Sequence, residues 1–385
     1  MMIMKKLICI DKPKNIDVPS EKKDLYDVDY IYVPLQKNFK PLVEKGDSIS
    51  VGQKVATDGN DFLYSSISGS VTSICDGLYQ NNKKVKAIRI ENNLKEKKVR
   101  FDVREIKKPD DLNRLLNNID DEKLAKRFVI GKVDTLILNM FVDEPFIMNE
   151  TFYFINNSAE ILDTLDMIGK VYKAPKIYIT VKNVDSSNIT SLIDFNGMYP
   201  NIQIKLLDDL YLLERKDFLC THMGLDKNRT LVLKPSDLYK IYYSIKYKRK
   251  PNTKYVTVVG NNVSTPIVKD IKIYSLLSDL MRDVKYEQGS VFIKNGLMTG
   301  TKMTSFNEII DNNTEAIFIM KKENIKEEKC LYCGACLEVC PMKIDPKRLM
   351  DHKLTSKKCI DCGLCSYVCP SFINLRKYLK GDRNE

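Results

Sequence analysis

The residues best suited to chemistry are eight cysteines that occur in two copies of one short pattern. The first copy, CLYCGACLEVCP, runs from Cys330 to Pro341, and the second, CIDCGLCSYVCP, runs from Cys359 to Pro370. Both copies read Cys-x-x-Cys-x-x-Cys-x-x-x-Cys-Pro. Three thiolates at this spacing can bind one face of a cubane cluster, and the fourth, before proline, ligates the other cluster in proteins that hold two. The pattern therefore predicts two [4Fe–4S] clusters.

The same spacing assigns each cysteine to one cluster. The predicted ligands of the first cluster are Cys330, Cys333, Cys336 and Cys369. The predicted ligands of the second cluster are Cys359, Cys362, Cys365 and Cys340. Gly334 and Gly363 occupy the same place in each copy. We expect a side chain there to crowd the cluster, and backbone N–H groups there to bond to sulfur.

Zinc and disulfides are the alternative uses of such cysteines. Structural zinc sites usually pair two Cys-x-x-Cys knuckles rather than one triple run closed by Cys-Pro. Disulfide frameworks are typical of small secreted chains, whereas this chain has 385 residues and no evident export signal. Both alternatives fit less well and stay open on the sequence alone. The two histidines, His222 and His352, belong to no metal or triad pattern, so we predict no catalytic residue.

Composition indicates a large globular protein of a reducing compartment. The hydrophobic fraction of 43% suffices for packed cores, and the chain length corresponds to about two to four domains. Cys9, Cys75 and Cys220 lie outside the motifs, and this odd number of remaining thiols favours the cytosol. No segment has the roughly 20 apolar residues that span a bilayer, so no transmembrane segment is predicted. We predict a cytoplasmic protein, soluble or peripheral on the cytoplasmic face of the membrane.

The net charge of +11 arises from 62 basic and 51 acidic residues. A lysine-rich solvated surface is the simplest interpretation, and an acidic redox partner or membrane face also fits. The one local basic cluster is KYKRKPNTK, residues 246–254. No helix-turn-helix, zinc-finger or RNA-binding signature accompanies it, so we predict no nucleic-acid partner.

The predicted fold class is a multidomain protein of α+β and α/β units. Its segments are an N-terminal segment 1–28, a β-rich barrel-sandwich domain 29–100, an α/β domain with a following helix 101–252, a β-grasp unit 253–320, and a two-cluster ferredoxin-type module 321–385. Alternating apolar residues between Gly46, Gly52 and Gly69, which we expect at turns, predict the barrel. It lacks the exposed lysine motif of lipoyl and biotinyl carriers, so we predict a structural barrel.

The α/β domain is predicted from buried strands and one long helix. TLILNMFV (135–142), KIYITVKN and IQIKLL favour strands of a parallel sheet, and residues 150–172 have helical periodicity. A second helix is predicted over 235–250 with Ser236 as its N-cap. No glycine-rich loop follows a strand, although phosphate binding would require one. Beyond it, the strands YVTVVG and AIFIM flank the predicted helix IYSLLSDLMRDV of the β-grasp unit.

Taken in chain order, these segments resemble the C subunit of Rnf-type ion-translocating ferredoxin:NAD oxidoreductases and the related electron-transfer proteins of proline reductase and cobalamin reduction. The barrel resembles this RnfC-like family in Lys45-Gly46-Asp47 and Ser68-Gly69-Ser70-Val71. The β-grasp segment, similar to the family's SLBB-like unit, matches in the turn Asn295-Gly296-Leu297-Met298-Thr299-Gly300. The strongest match is CGLCSYVCPSFINLRKYL, residues 362–379.

The middle of the chain departs from the family. Members that bind flavin and nicotinamide carry a Gly-Gly-x-Gly-Phe-Pro type of loop, where this chain has LNNIDDEKLAKRFVIGK (116–132). Of the family's Asn-Gly-x-Glu-x-Glu-Pro motif, the chain keeps Asn139, Glu144 and Pro145. A backbone that must approach a phosphate closely does not easily exchange glycine for a larger residue. The resemblance therefore implies a degenerate complex-I-flavoprotein-like domain over 101–252, and we expect no FMN.

Three functions follow from these observations. The leading one is an electron-transfer subunit of an oxidoreductase complex, which relays electrons through two [4Fe–4S] clusters without its own NADH/FMN site. Its expected partners are redox proteins, either membrane-bound Rnf-type subunits or a soluble reductase. The alternatives are an FMN-containing NADH dehydrogenase subunit of an Rnf-type complex, and a non-redox adaptor whose clusters are structural. Stoichiometric FMN or reversible cluster reduction separates the three.

Overall fold

A computed structural model describes residues 8–9, 14–24, 28–36, 38–119, 122–184, 190, 192–193, 195 and 197–380. Its strands are β1 Lys22–Asp24, β2 Tyr30–Leu35, β3 Lys40–Pro41, β4 Ser48–Ile49, β5 Lys54–Thr57, β6 Phe62–Tyr64, β7 Gly69–Gln80, β8 Lys83–Asn92, β9 Thr135–Asn139, β10 Lys176–Lys182, β11 Ile202–Leu207, β12 Thr230–Leu233, β13 Thr253–Val259, β14 Ile267–Lys272, β15 Val291–Lys294, β16 Thr301–Lys302 and β17 Ala316–Met320. Its helices are α1 Pro109–Ile119, α2 Glu122–Phe128, α3 Asn149–Asn156, α4 Ser158–Tyr172, α5 Lys216–His222, α6 Pro235–Tyr247, α7 Leu277–Leu280, α8 Ala335–Val339, α9 Pro346–Asp351, α10 Leu364–Tyr367 and α11 Leu375–Lys380.

The first folded unit consists of two small antiparallel sheets, ordered β2-β8-β7-β4 and β3-β5-β6. Their inward side chains form one apolar core that includes Ile31, Val55 and Ile88. Gly46 and Gly52 adopt positive φ at turns, as expected. Gly69 instead begins β7, where an added Cβ would lie 1.6 Å from the Glu91 carbonyl oxygen. This glycine is required by close strand packing rather than by a turn.

The second unit has a parallel sheet in the order β11-β10-β9-β12. Its strands and helices share a large core around Leu136, Leu165 and Leu231. The long helix predicted over 150–172 is two helices, since α3 ends before Asn157 and α4 begins after it. The predicted N-cap was also wrong. Helix α6 is capped at Lys234, whose backbone N–H donates to Asp237 Oδ2 at 2.9 Å.

The third unit is a mixed six-stranded sheet in the order β1-β14-β13-β17-β15-β16. Strand β1 comes from the N-terminal segment and runs parallel to β14, a contribution that the sequence did not predict. The predicted helix of this unit is much shorter than expected, because only Leu277–Leu280 is helical. The predicted domain boundaries stay a prediction.

A buried ion pair within the third unit binds the tip of a hairpin of the first unit. Lys294 Nζ lies 3.0 Å from Glu308 Oε1, with the two side chains 4% and 1% exposed. Lys294 also donates to Asn81 Oδ1 at 3.1 Å. The Asn81 backbone N–H donates to Glu308 Oε1 at 2.6 Å. The tip of the β7–β8 hairpin is therefore bound to the third unit by charge-assisted hydrogen bonds.

In the part of the chain that the structure describes, no helix is both long enough and apolar enough to span a bilayer.

Candidate metal centres

The eight motif cysteines line two separate cavities. The outer cavity, of about 290 Å³, is lined by Cys330, Cys333, Cys336 and Cys369. The inner cavity, of about 20 Å³, is lined by Cys340, Cys359, Cys362 and Cys365. Each cavity thus receives three cysteines from one motif and the last cysteine of the other, which is the grouping that the spacing predicts.

The sulfurs are neither bonded in pairs nor gathered at one point. The cysteines of the described residues form no disulfide. Within those residues, no three Cys, His, Asp or Glu side chains converge at the spacing of a single metal ion. The thiols instead surround cavities. The outer cavity has room for a polynuclear cluster bound at its corners, whereas the inner cavity of about 20 Å³ would have to widen to hold one.

The module is built from two similar halves related by a shift of 29 residues, from Cys330 to Cys359. Helices α8 and α10 begin after Gly334 and Gly363, which adopt φ values of +76° and +79°. Helices α9 and α11 follow in each half. An added Cβ at Gly334 would meet nothing within 4 Å. The left-handed backbone favours glycine at this position, and crowding against a cluster stays a prediction.

Hydrogen bonds and burial define the environment of the thiols. The Tyr332 N–H donates to Cys330 Sγ at 3.4 Å, and the Ile344 N–H donates to Cys340 Sγ at 3.4 Å. Burial raises the pKa of the Cys362 thiol, and it raises the pKa of Cys365 to about 12. Such buried thiols become thiolates only when a cation compensates the charge, and the iron of a cluster would supply that compensation.

The inner cavity lies against the second and third units. The Tyr211 hydroxyl donates to the Cys362 carbonyl oxygen at 2.6 Å. Arg215 Nη1 donates to the Ile360 carbonyl oxygen at 2.8 Å. On the other side, an added Cβ at Gly363 would lie 2.4 Å from the Met298 carbonyl oxygen. The protein's own domains therefore cover the loop around Cys362.

Sequence reasoning missed these anchoring residues. Arg376 makes a two-point ion pair with Asp361, with Nη2–Oδ2 at 2.9 Å, and donates to the Gly300 carbonyl oxygen at 3.4 Å. Arg376 lay inside the quoted carboxyl-terminal match and could have been singled out there. Tyr211 and Arg215 lie in another domain, and no local pattern marks them.

The outer cavity faces solvent. Cys333 is exposed, and the neighbouring Leu331 and Tyr332 are 67% and 79% exposed. Lys347, Arg348 and two short helices complete its rim. The two cavities thus differ sharply in their access to solvent.

The region where the family carries its flavin loop is helical and packed. Most of residues 116–132 lie in α1 and α2, and Leu116, Leu124 and Phe128 are buried in the core of the second unit. The Asn139 amide donates to the Leu213 carbonyl oxygen at 2.9 Å. The backbone N–H groups of Met298 and Thr299 donate to Glu144 at 3.0 and 2.7 Å. The retained motif residues are therefore engaged by the protein itself.

A larger cavity of about 560 Å³ lies where the three units meet. Its lining is mixed and includes Tyr64, Tyr153, Lys234, Lys254 and Glu315. Charges of both signs are paired there, since Lys254 Nζ lies 3.5 Å from Glu315 Oε1 and Lys234 contacts Glu214. The lining contains five basic and four acidic side chains, so its surplus of positive charge is small.

Comparison with known proteins identifies both ends of the chain. Residues 11–95 match the RnfC barrel sandwich hybrid domain. Residues 322–370 match the 4Fe-4S dicluster domain. The second match supports iron–sulfur clusters at the cysteine motifs, and two clusters are consistent with it.

Curated relatives all carry the name of the same component of a redox complex. The C subunit of the ion-translocating oxidoreductase complex of Buchnera aphidicola subsp. Baizongia pistaciae is 25% identical over 238 residues, covering 57% of this chain and 46% of the relative. The C subunit of the Na(+)-translocating ferredoxin:NAD(+) oxidoreductase complex of Acetobacterium woodii is 21% identical over 345 residues, covering 81% and 77%. The chain spans about half the length of the two Buchnera relatives.

A solved structure of NAD+-reducing [NiFe]-hydrogenase in the air-oxidized state aligns with a TM-score of 0.49 and 9% identity, covering 64% of this chain and 52% of that chain. The resemblance seen in the sequence is confirmed by the two domain matches and the curated relatives. The chain therefore resembles the C subunits of Rnf-type complexes and combines a match to the RnfC barrel sandwich hybrid domain with a match to the 4Fe-4S dicluster domain.

Proposed function

We propose that this protein is an electron-transfer subunit that holds two [4Fe–4S] clusters in its carboxyl-terminal module. The observation that carries this proposal is the grouping of eight cysteines into two four-cysteine cavities, each built from both motifs. Four thiolates match the ligand set of a cubane cluster. The proposed ligands of one cluster are the cysteines of the outer cavity, Cys330, Cys333, Cys336 and Cys369. The proposed ligands of the other are the cysteines of the inner cavity, Cys340, Cys359, Cys362 and Cys365.

The residues around the cavities prepare the thiols for this role. Backbone N–H groups from Tyr332 and Ile344 stabilise negative charge on sulfur. Apolar packing around Cys362 and Leu364 excludes water from the inner site. When bound, the clusters would supply one-electron exchange, while the protein sets their potentials through hydrogen bonds, burial and nearby charge.

The proposed setting is a multi-subunit redox complex of the Rnf type. Relatives of comparable length are named as the C subunit of ferredoxin:NAD(+) oxidoreductase complexes. We propose redox proteins as partners, either membrane subunits of such a complex or a soluble reductase. The proposed location is the cytoplasm or the cytoplasmic face of the membrane.

The proposal includes the loss of a flavin site. A phosphate loop needs free backbone N–H groups and glycine at close approach, whereas residues 116–132 form packed helices for most of their length. Asn139 and Glu144 already bond to other parts of the chain. A flavin bound in the large cavity between the three units would contradict this inference.

Anaerobic purification with iron, sulfide and FMN measured on one sample tests the proposal. About eight irons per chain without FMN is the expected result, because each cubane contains four irons. Stoichiometric FMN would favour the NADH dehydrogenase alternative. About four irons per chain or fewer, in carefully reconstituted protein, would overturn the two-cluster proposal.

The adaptor alternative requires a second measurement. Potentiometric titration followed by electron paramagnetic resonance should show both clusters being reduced and reoxidised reversibly. Clusters that are present but cannot be reduced without loss of iron would indicate a structural role.

A further inference from the structure

A basic surface forms where two runs of residues that lie far apart in the chain meet. Residues 94–100, LKEKKVR, follow the last strand of the barrel, and residues 246–249, KYKR, lie at the end of helix α6. The Phe101 backbone N–H, directly after the first run, donates to the Lys248 carbonyl oxygen at 2.9 Å. We call the two runs together the basic connector surface.

The basic connector surface carries much of the protein's positive charge. Its two runs contain seven basic side chains and one acidic side chain, and this surplus of six is more than half of the net charge of +11. The acidic residue, Glu96, contacts Lys98 and lies 3.2 Å from Lys272 Nζ, so it is already paired. Five of the basic side chains are exposed, namely Lys95, Lys97, Arg100, Lys246 and Lys248.

Acidic residues around the surface do not cancel this surplus. Asp102 and Glu105 follow the first run, and they lie 3.9 and 2.8 Å from an arginine and a lysine outside it. Glu160 of helix α4 lies close enough to Lys246 for their charges to interact. With Glu160 counted, seven basic side chains still stand against two acidic ones.

Exposed aliphatic side chains lie among these charges. Leu94 and Val99 of the first run are 64% and 44% exposed. At the surface of a bilayer, aliphatic side chains enter the boundary between headgroups and acyl chains, while neighbouring lysines reach the lipid phosphates. Basic residues interspersed with exposed aliphatic ones therefore suit a membrane surface that contains anionic lipids.

The aromatic ring of the second run is engaged by its neighbours. The Tyr247 ring packs against Tyr243, with the centroids 4.7 Å apart. Lys246 and Arg249 each lie 5.5 Å from the centroid of the Tyr247 ring. Proteins that bind single-stranded nucleic acid present open aromatic faces on which bases stack. The surface therefore favours lipid phosphates over a nucleic acid.

We propose that the basic connector surface docks the protein directly on a membrane surface that contains anionic lipid headgroups. The lysine and arginine side chains donate to lipid phosphates, and Leu94 and Val99 enter the headgroup region. This contact requires neither a transmembrane helix nor a cluster, so the inference goes beyond the proposed electron transfer.

Cosedimentation of the anaerobically reconstituted full chain with lipid vesicles tests the surface. The anionic vesicles contain roughly one phosphatidylglycerol to two phosphatidylcholine molecules, and vesicles of phosphatidylcholine alone are the uncharged control. We expect binding to the anionic vesicles to be at least about tenfold tighter than to the neutral ones, and high salt to remove most of the difference. Equal binding to both kinds of vesicle, or binding to neither, would overturn the proposal.

Three variants locate the surface. Lys95→Gln/Lys97→Gln removes two exposed charges and should weaken binding to anionic vesicles about tenfold. Lys83→Gln/Lys84→Gln makes the same change in net charge at the start of β8, whereas the surface follows its end, and it should have less than about a twofold effect. Equal effects of the two pairs would refute the location. Leu94→Asn keeps a residue type that tolerates the left-handed backbone there, where φ is 58°, and should weaken binding without changing its salt dependence.

Two further measurements separate the possible outcomes. If a single-stranded RNA binds, loses affinity in Lys95→Gln/Lys97→Gln, and the anionic vesicles do not bind, the surface is a nucleic-acid site and the proposal is overturned. Iron content and thermal unfolding are measured on every sample. Missing clusters would count against the proposed function alone, whereas folded protein with complete clusters and no preference for anionic vesicles would count against the docking surface alone.

Discussion

The crossed grouping of cysteines can be tested by comparing pairs of substitutions. Cys340 and Cys359 come from different motifs but line the same inner cavity. Cys359 and Cys369 come from the same motif but line different cavities. The variants Cys340→Ala/Cys359→Ala and Cys359→Ala/Cys369→Ala therefore each remove two cysteines, while they damage one site and two sites respectively.

The expected magnitude follows from the number of sites damaged. Cys340→Ala/Cys359→Ala should retain about four irons per chain, and Cys359→Ala/Cys369→Ala should retain close to none, since a cubane holds four irons. Iron and acid-labile sulfide are measured after anaerobic reconstitution. The retained cluster of the first variant should react readily with a chelator, because it lies in the cavity that contains the exposed Cys333.

The reverse pattern would refute the grouping. If each motif supplied all four ligands of its own cluster, Cys340→Ala/Cys359→Ala would lose both clusters and Cys359→Ala/Cys369→Ala would keep one. Cys75→Ala/Cys220→Ala provides the control, because these two cysteines lie outside both cavities. Its iron content should equal that of the unaltered protein.

Three further perturbations have defined directions. Arg215→Gln removes a positive charge beside the inner cavity and should lower the potential of that cluster in a redox titration, because a reduced cluster carries more negative charge. Lys294→Ala leaves Glu308 buried without its cation. It should lower the free energy of unfolding by about 3–5 kcal/mol and speed hydrogen exchange in the hairpin tip. Burial raises the pKa of Asp143 to about 7, so stability should fall as pH rises from about 4 to about 7, and Asp143→Asn should flatten this dependence in thermal unfolding.

Each of these results has a matched control. An equal potential shift in both clusters would contradict the local effect of Arg215. Lys302→Ala, at an exposed position of the same sheet, should change stability by less than about 0.5 kcal/mol. The sign for Asp143 follows because a carboxyl group with a raised folded pKa binds a proton more tightly in the folded state. If Asp143 instead made stability rise across the same pH range, its pKa in the folded protein would not be raised.

The sequence predicted the parts that depend on local spacing. Cysteine spacing predicts which thiols share a site, and the two cavities group the cysteines in the same way. Their role as cluster ligands stays a prediction. Parallel strands such as β9 were visible as apolar runs. The break at Asn157 was not visible, since apolar periodicity continues on both sides of it.

Contacts between segments far apart in the chain could not be predicted from the sequence. Tyr211 and Cys362 are 151 positions apart, and only the packing of separate domains brings them together. The left-handed backbone at Tyr332 and Asp361 also carries no signal, because neither residue is glycine. These contacts cover the second half of the module and leave the first half exposed to solvent. The difference between two motifs so similar in sequence is therefore visible only in the structure.

The pairing of β1 with β14 has a consequence for the order of synthesis. Lys22 pairs with Val268. The ribosome therefore synthesises the barrel and the parallel-sheet unit after β1 and before its partner strand β14. At about 5–20 residues per second, the partner of β1 leaves the ribosome tens of seconds after β1 itself. Throughout that interval β1 lacks the strand with which it pairs in the folded protein. Its sequence, KKD, is short and charged, which discourages pairing with a wrong edge while the rest of the protein is being made.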